Sequence, residues 1–130
     1  MNIQKIHVDE ILLIHDRIIS ATSGSQGIRE SSLLDSICNT PFGSFSGKEL
    51  YPDIFLKAAV IFNSLVNYHV FIDGNKRTGI ATMEYFMTKN NYSFTNSKLI
   101  KEEFVLHIAI DNPDLADIAS WIKKHSRKEK

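Results

Sequence analysis

One stretch, LYPDIFLKAAVIFNSLVN at residues 50–67, constrains the fold more than any other. Pro52-Asp53 suits the opening of a helix, because proline is tolerated in a first turn whose N–H groups have no intrahelical partner. The helix expected over about 53–67 carries Phe55, Ala58, Ala59, Val60, Ile61, Phe62, Leu65 and Val66. Apolar on nearly all sides, it belongs at the centre of a helical domain.

Apolar spacing is helical through most of the remaining chain. Residues 8–21 place Val8, Ile11, Leu12, Ile18 and Ile19 on one face, with Asp9 and Glu10 near the positive end of the helix dipole. Ser31 to Asn39 predicts a short helix through Leu33, Leu34 and Ile37. Asn75 to about Lys89 predicts a second apolar helix with Ile80, Met83, Phe86 and Met87, ended by Asn90-Asn91. Two more follow over about 98–110 (Leu99, Phe104, Ile108) and about 114–124 (Leu115, Ile118, Ile122). TSGSQG is a loop by composition, and TPFGSFSGKELY at 40–51 reads as an irregular loop or a short hairpin. Tyr92 to Phe94 reads as a brief extended segment, and the closing KKHSRKEK as a frayed, solvated tail. The expectation is a single all-α domain over 1–130, with about six helices, a core over about 8–124, a flap ahead of the central helix pair and a basic tail at 125–130.

Composition narrows the function. With 43% hydrophobic and 23% charged residues in 130, the chain has the balance of one ordinary globular domain. Fifteen basic residues offset fifteen acidic ones, so no global field draws it to nucleic acid, and no direct nucleic-acid binding is expected. Cys38 is the single cysteine, which excludes an internal disulfide and a cysteine-based metal site. The run Ile11 to Ile14 is too short for a membrane span and lacks the layout of a signal peptide, so no membrane partner and a cytoplasmic setting are expected.

The chemistry concentrates between the two apolar helices, in HVFIDGNKR at 69–77. A helix that begins near Gly74-Asn75 leaves its first amide N–H groups unpaired, and with the helix dipole they form an anion site. Gly74 permits close approach of a ligand, and Lys76 and Arg77 add positive charge at the end where the dipole alone disfavours it. Phosphate is the natural anion. Asp73 beside a phosphate implies an intervening cation, and Mg2+ takes one or two carboxylates plus substrate phosphates. His69 has the side chain of a general base, and Val70 and Phe71 would anchor the loop in the core. The plainer reading is that Gly-Asn is a common turn, Asp73 and Asn75 are helix caps and a surface Lys-Arg pair is routine.

HVFIDGNKR resembles the H-x-F-x-[D/E]-[G/A]-N-x-R signature of the Fic/Doc family, and the chain as a whole is similar to the family's small death-on-curing (Doc) branch. The similarity runs from Gly27-Ile28-Arg29-Glu30 to about Phe94. It implies that His69 is the base that activates a target hydroxyl, Phe71 the buried anchor and Asp73 the Mg2+ ligand. Gly74, Asn75, Lys76 and Arg77 would then bind the phosphates of ATP. Residues Ser44, Phe45, Ser46, Gly47, Lys48, Glu49 and Leu50 fall where the family has a flap that aligns an extended piece of the target. AMP-transferases of the family read G-N-G-R-x-x-R, whereas this chain has Lys76 and Ile80 at the departing positions. Both departures match the Doc branch, which delivers the γ-phosphate as a protein kinase onto a threonine of elongation factor Tu and so stops translation. Gly74, where the phage-type Doc has alanine, follows the AMP-transferase pattern. No Ser or Thr has a Glu four residues later, so the family's internal inhibitory helix motif is absent and an antitoxin of the Phd type is expected in trans.

His7, His15, His107 and His125 have no mutual spacing for a metal and read as surface or satisfied core residues. Cys38 reads as a small buried hydrophobe. The aromatics Phe55, Phe62, Tyr85 and Phe86 read as core, and Arg29 and Glu30 as capping or pairing residues.

Overall fold

The computed structural model describes residues 2–129; Lys130 of the expected tail lies outside them. The described residues form six helices: α1 (Val8–Thr22), α2 (Ser32–Asn39), α3 (Ile54–Asn67), α4 (Asn75–Lys89), α5 (Lys98–Asp111) and α6 (Leu115–Lys124). A 3-10 turn at Thr40–Phe42 leads into a hairpin of β1 (Ser44–Phe45) and β2 (Lys48–Glu49), and β3 (Tyr92–Phe94) pairs with β4 (Ser126–Lys128).

Helix α3 is the axis of the fold, with ten of its fourteen residues buried. Asp53 caps it, Oδ1 accepting from the Leu56 N–H at 2.9 Å. α4 crosses it closely: a Cβ on Gly79 would meet Val66 Cγ2 at 2.9 Å, so only glycine permits that approach. On the far side, Phe104 of α5 lies 5.7 Å from Phe62 and stacks on Trp121 of α6 at 3.6 Å. Helix α1 is clasped to α4 by Glu10, whose carboxylate accepts from Lys89 at 2.7 Å and Tyr85 at 2.7 Å. Tyr85 is therefore a surface residue, 40% exposed, and not the core aromatic that its spacing predicts. No described helix is long and apolar enough to cross a membrane.

The hairpin turns at Ser46 and Gly47, which both take positive φ (+51° and +76°), as a two-residue turn matched to strand twist requires. Its residues 44–50 are all exposed. Its base is fixed by Lys57 of α3, a lysine with 1% exposure. The Lys57 ammonium donates to Tyr51 O (2.6 Å), Glu49 Oε1 (3.0 Å) and Pro41 O (3.1 Å) and lies 4.8 Å from the Phe42 ring centre.

Over its described residues, 125–129, the tail is not frayed. Residues 126–128 pair antiparallel with 92–94, and the Glu129 N–H donates to Asn91 O at 2.7 Å. Basic side chains pointing to water say nothing about whether the backbone between them pairs, and β3 offered an open edge.

Candidate active site

The loop between α3 and α4 is determined almost atom by atom. His69 opens it with φ +51°, a left-handed conformation that strains a residue with a Cβ. Val70 and Phe71 follow, both fully buried. The Val70 carbonyl accepts from the N–H groups of Arg29 (2.8 Å) and Glu30 (3.0 Å), and the Ile72 N–H donates to Gly27 O (3.1 Å). A segment from before α2 thus braces the loop as an isolated antiparallel bridge, Ile28 opposite Phe71. The Asn75 side chain completes the brace: its Oδ1 accepts from the Phe71 N–H and its Nδ2 donates to Phe71 O, each at 2.9 Å. Burial of polar backbone demands such partners, and the Val70 carbonyl and both backbone groups of Phe71 have them.

Gly74 ends the loop with φ +80° and starts α4, as a residue without a Cβ does at no steric cost. Its N–H donates to Asp73 Oδ1 at 2.8 Å, while Asp73 Oδ2 accepts from the Ser25 N–H at 3.1 Å. The amides of Asn75, Lys76 and Arg77 then head a fifteen-residue helix with no side-chain cap and no acidic residue in its first turn. Lys76 and Arg77 are exposed, and neither makes an ion pair or side-chain hydrogen bond among the described residues. One cleft of about 420 Å³ gathers His69, Asp73, Gly74, Asn75, Lys76 and Arg77, with Ile19, Thr22, Gly24, Val66 and Ile72 completing its walls.

The sequence-predicted residues therefore meet in one place. Phe71 lies beneath them as the anchor, and the flap Ser44–Leu50 stands apart as the exposed hairpin and does not line the cleft. The Asn75 side chain is engaged on Phe71, which leaves its backbone N–H for an anion. Sequence reasoning missed the partners of the loop: His15, the Gly24-Ser25 turn and Gly27 to Glu30. His15 is a satisfied core histidine, and what satisfies it is the loop itself, Nε2 lying 2.8 Å from Asp73 O.

The donor set fits a magnesium ion shared with a nucleotide. Among the described residues no group of three or more His, Cys, Asp or Glu could hold a metal alone, whereas an exposed carboxylate beside unpaired amides suits an ion that draws its other ligands from phosphate and water.

Comparison with known proteins agrees with the geometry. The model of the Fic/DOC family matches residues 5–87, from the segment before α1 almost to the end of α4. The protein named Toxin Doc of Mycolicibacterium smegmatis is 30% identical over 102 residues, which is 77% of this chain and 78% of that relative. A helical domain built on α3 and α4, a motif cleft at their junction and these two similarities lead to one assignment: the chain belongs to the Fic/Doc family, in its Doc toxin branch.

Proposed function

We propose that the protein is a Doc-like toxin that moves the γ-phosphate of Mg-ATP onto a threonine or serine hydroxyl of a target protein, elongation factor Tu, and thereby arrests translation. The observation that carries this reading is the single cleft that holds His69, Asp73 and the uncapped start of α4. His69 takes the hydroxyl proton as the oxygen attacks phosphorus, and ADP leaves. The amides of Asn75, Lys76 and Arg77 and the two cationic side chains hold the phosphates and offset charge on the equatorial oxygens. Asp73 would hold the Mg2+ of Mg-ATP, which would supply charge neutralisation at the phosphates. The exposed hairpin with Phe45 at its edge would align the target strand by backbone pairing. Restraint would come from an antitoxin of the Phd type.

AMP transfer is the second reading, supported by Gly74. Against it stands Ile80, half-buried in a groove of α4 and α5 with Val105 and Leu106, where the AMP-transferase pattern has an arginine. Intact-mass analysis of elongation factor Tu after incubation with the protein and Mg-ATP tests the proposal. The expected result is a gain of one phosphate that His69→Ala abolishes. A gain of one adenylate would replace it with the second reading, and no modification of any bacterial protein would leave a helical interaction module.

A further inference from the structure

Asp73 is held by residues outside the motif. Its main-chain carbonyl oxygen lies 2.8 Å from His15 Nε2. A carbonyl only accepts, so that nitrogen carries the proton. The ring has no room to turn: His15 is 5% exposed and lies face to face with Phe71, centroids 3.7 Å apart and planes 8° from parallel. On the carboxylate side, the turn that ends α1 closes in. The Ser25 N–H reaches Oδ2 at 3.1 Å, and a Cβ built on Gly24 would lie 2.8 Å from the same oxygen. Gly24 itself has no positive φ to require glycine, so the close approach to Asp73 is what its missing side chain serves.

We infer that His15 and the Gly24-Ser25 turn are positioning residues for Asp73, fixing its main chain and its carboxylate so that the lone pairs not taken by Ser25 and Gly74 face the cleft. The inference rests on the reading of Asp73 as the carboxylate that meets Mg-ATP. Three anchors set the residue: one on the carbonyl from α1, one on Oδ2 from the turn after α1, and one on Oδ1 from Gly74. A carboxylate has about four acceptor sites, so two remain for an ion. Partners that orient a ligand in this way typically change metal affinity by roughly tenfold or more when lost.

The test is calorimetric titration of ATP at a series of Mg2+ concentrations, with the parent protein, Gly24→Ala, His15→Leu and His15→Gln. The first two variants are expected to need roughly tenfold more Mg2+ for half-maximal tightening of ATP binding, and His15→Leu, whose side chain does not line the cleft, is expected to leave metal-free ATP binding unchanged. Glutamine, which can place an N–H near the position of Nε2, is expected to recover much of the loss. Parent-like Mg2+ dependence in Gly24→Ala and His15→Leu would overturn the inference and leave the reading of Asp73 intact. ATP binding by the parent that ignores Mg2+ would overturn that reading, and the inference with it.

Discussion

Lys57→Met is a sharp test of how the flap is tied to the central helix. The substitution keeps the apolar stem and deletes an ammonium whose three protons all have acceptors: Tyr51 O, Pro41 O and Glu49 Oε1. Two effects oppose each other. Removing a buried charge relieves its desolvation, and a well-packed apolar replacement is often neutral. Here, however, the cation is fully satisfied, and its removal strands two backbone carbonyls at about 1 kcal/mol each. The Glu49 side chain is 55% exposed, so screening by water limits that ion pair to about 0.5 kcal/mol. The Phe42 ring adds about 0.5 kcal/mol of cation–π attraction. The stranded carbonyls win, and a net loss of about 2 to 3 kcal/mol is expected, or a melting temperature lower by about 6–12 °C for a chain of this size. Urea unfolding followed by circular dichroism measures it, with Glu49→Gln as the control, expected to cost about 0.5 kcal/mol or less. A Lys57→Met protein as stable as the parent, or a cost no greater than that of Glu49→Gln, would refute the reasoning.

Asn75→Ala is expected to lose about 2–4 kcal/mol in the same assay, because it strands both the N–H and the carbonyl of a fully buried Phe71; a loss under about 0.5 kcal/mol would show the brace to be dispensable. His69→Gly should be more stable than His69→Ala by about 1 kcal/mol, since only glycine takes φ +51° freely; equal melting temperatures would contradict the strain. Burial acts to raise the pKa of Glu10, but hydrogen bonds from Lys89, Tyr85 and the His7 N–H together hold it below its ordinary 4.5. Its contribution to stability is therefore complete above that value and is lost as pH falls through the lowered one. Glu10→Gln should flatten the fall in stability on acidification below about pH 4.5, and an unchanged acid limb would remove Glu10 from the account.

What was legible in the sequence was what local chemistry determines. The span of α4 was readable at both ends, Asn75 after a glycine and Lys89 before Asn90-Asn91. The buried character of α3 followed from its composition. What escaped depends on distant partners. Nothing in TSGSQG reveals that its first glycine touches a carboxylate forty-nine residues away, and nothing around His15 reveals that its partner is the carbonyl of Asp73. The tail's charge predicts solvation of its side chains and is silent on backbone pairing, so its strand is not visible in the sequence. Ser-Gly is a weaker turn signal than Asn-Gly, so the sequence does not decide between loop and hairpin, although the two positive φ values form the same kind of turn. Within the site the motif spacing is enough to bring His69, Asp73 and Gly74 to Arg77 to one cleft, while the bracing that holds them is visible only in three dimensions.

The most direct measurement is label transfer from ATP to purified elongation factor Tu, run in parallel with ATP labelled at the γ-phosphate and at the α-phosphate. The parent protein and His69→Ala are compared in Mg2+. The account predicts label on the target from the γ-position only, lost in His69→Ala. Label from the α-position would contradict phosphoryl transfer, and γ-label that survives in His69→Ala would contradict the role of His69 as the base.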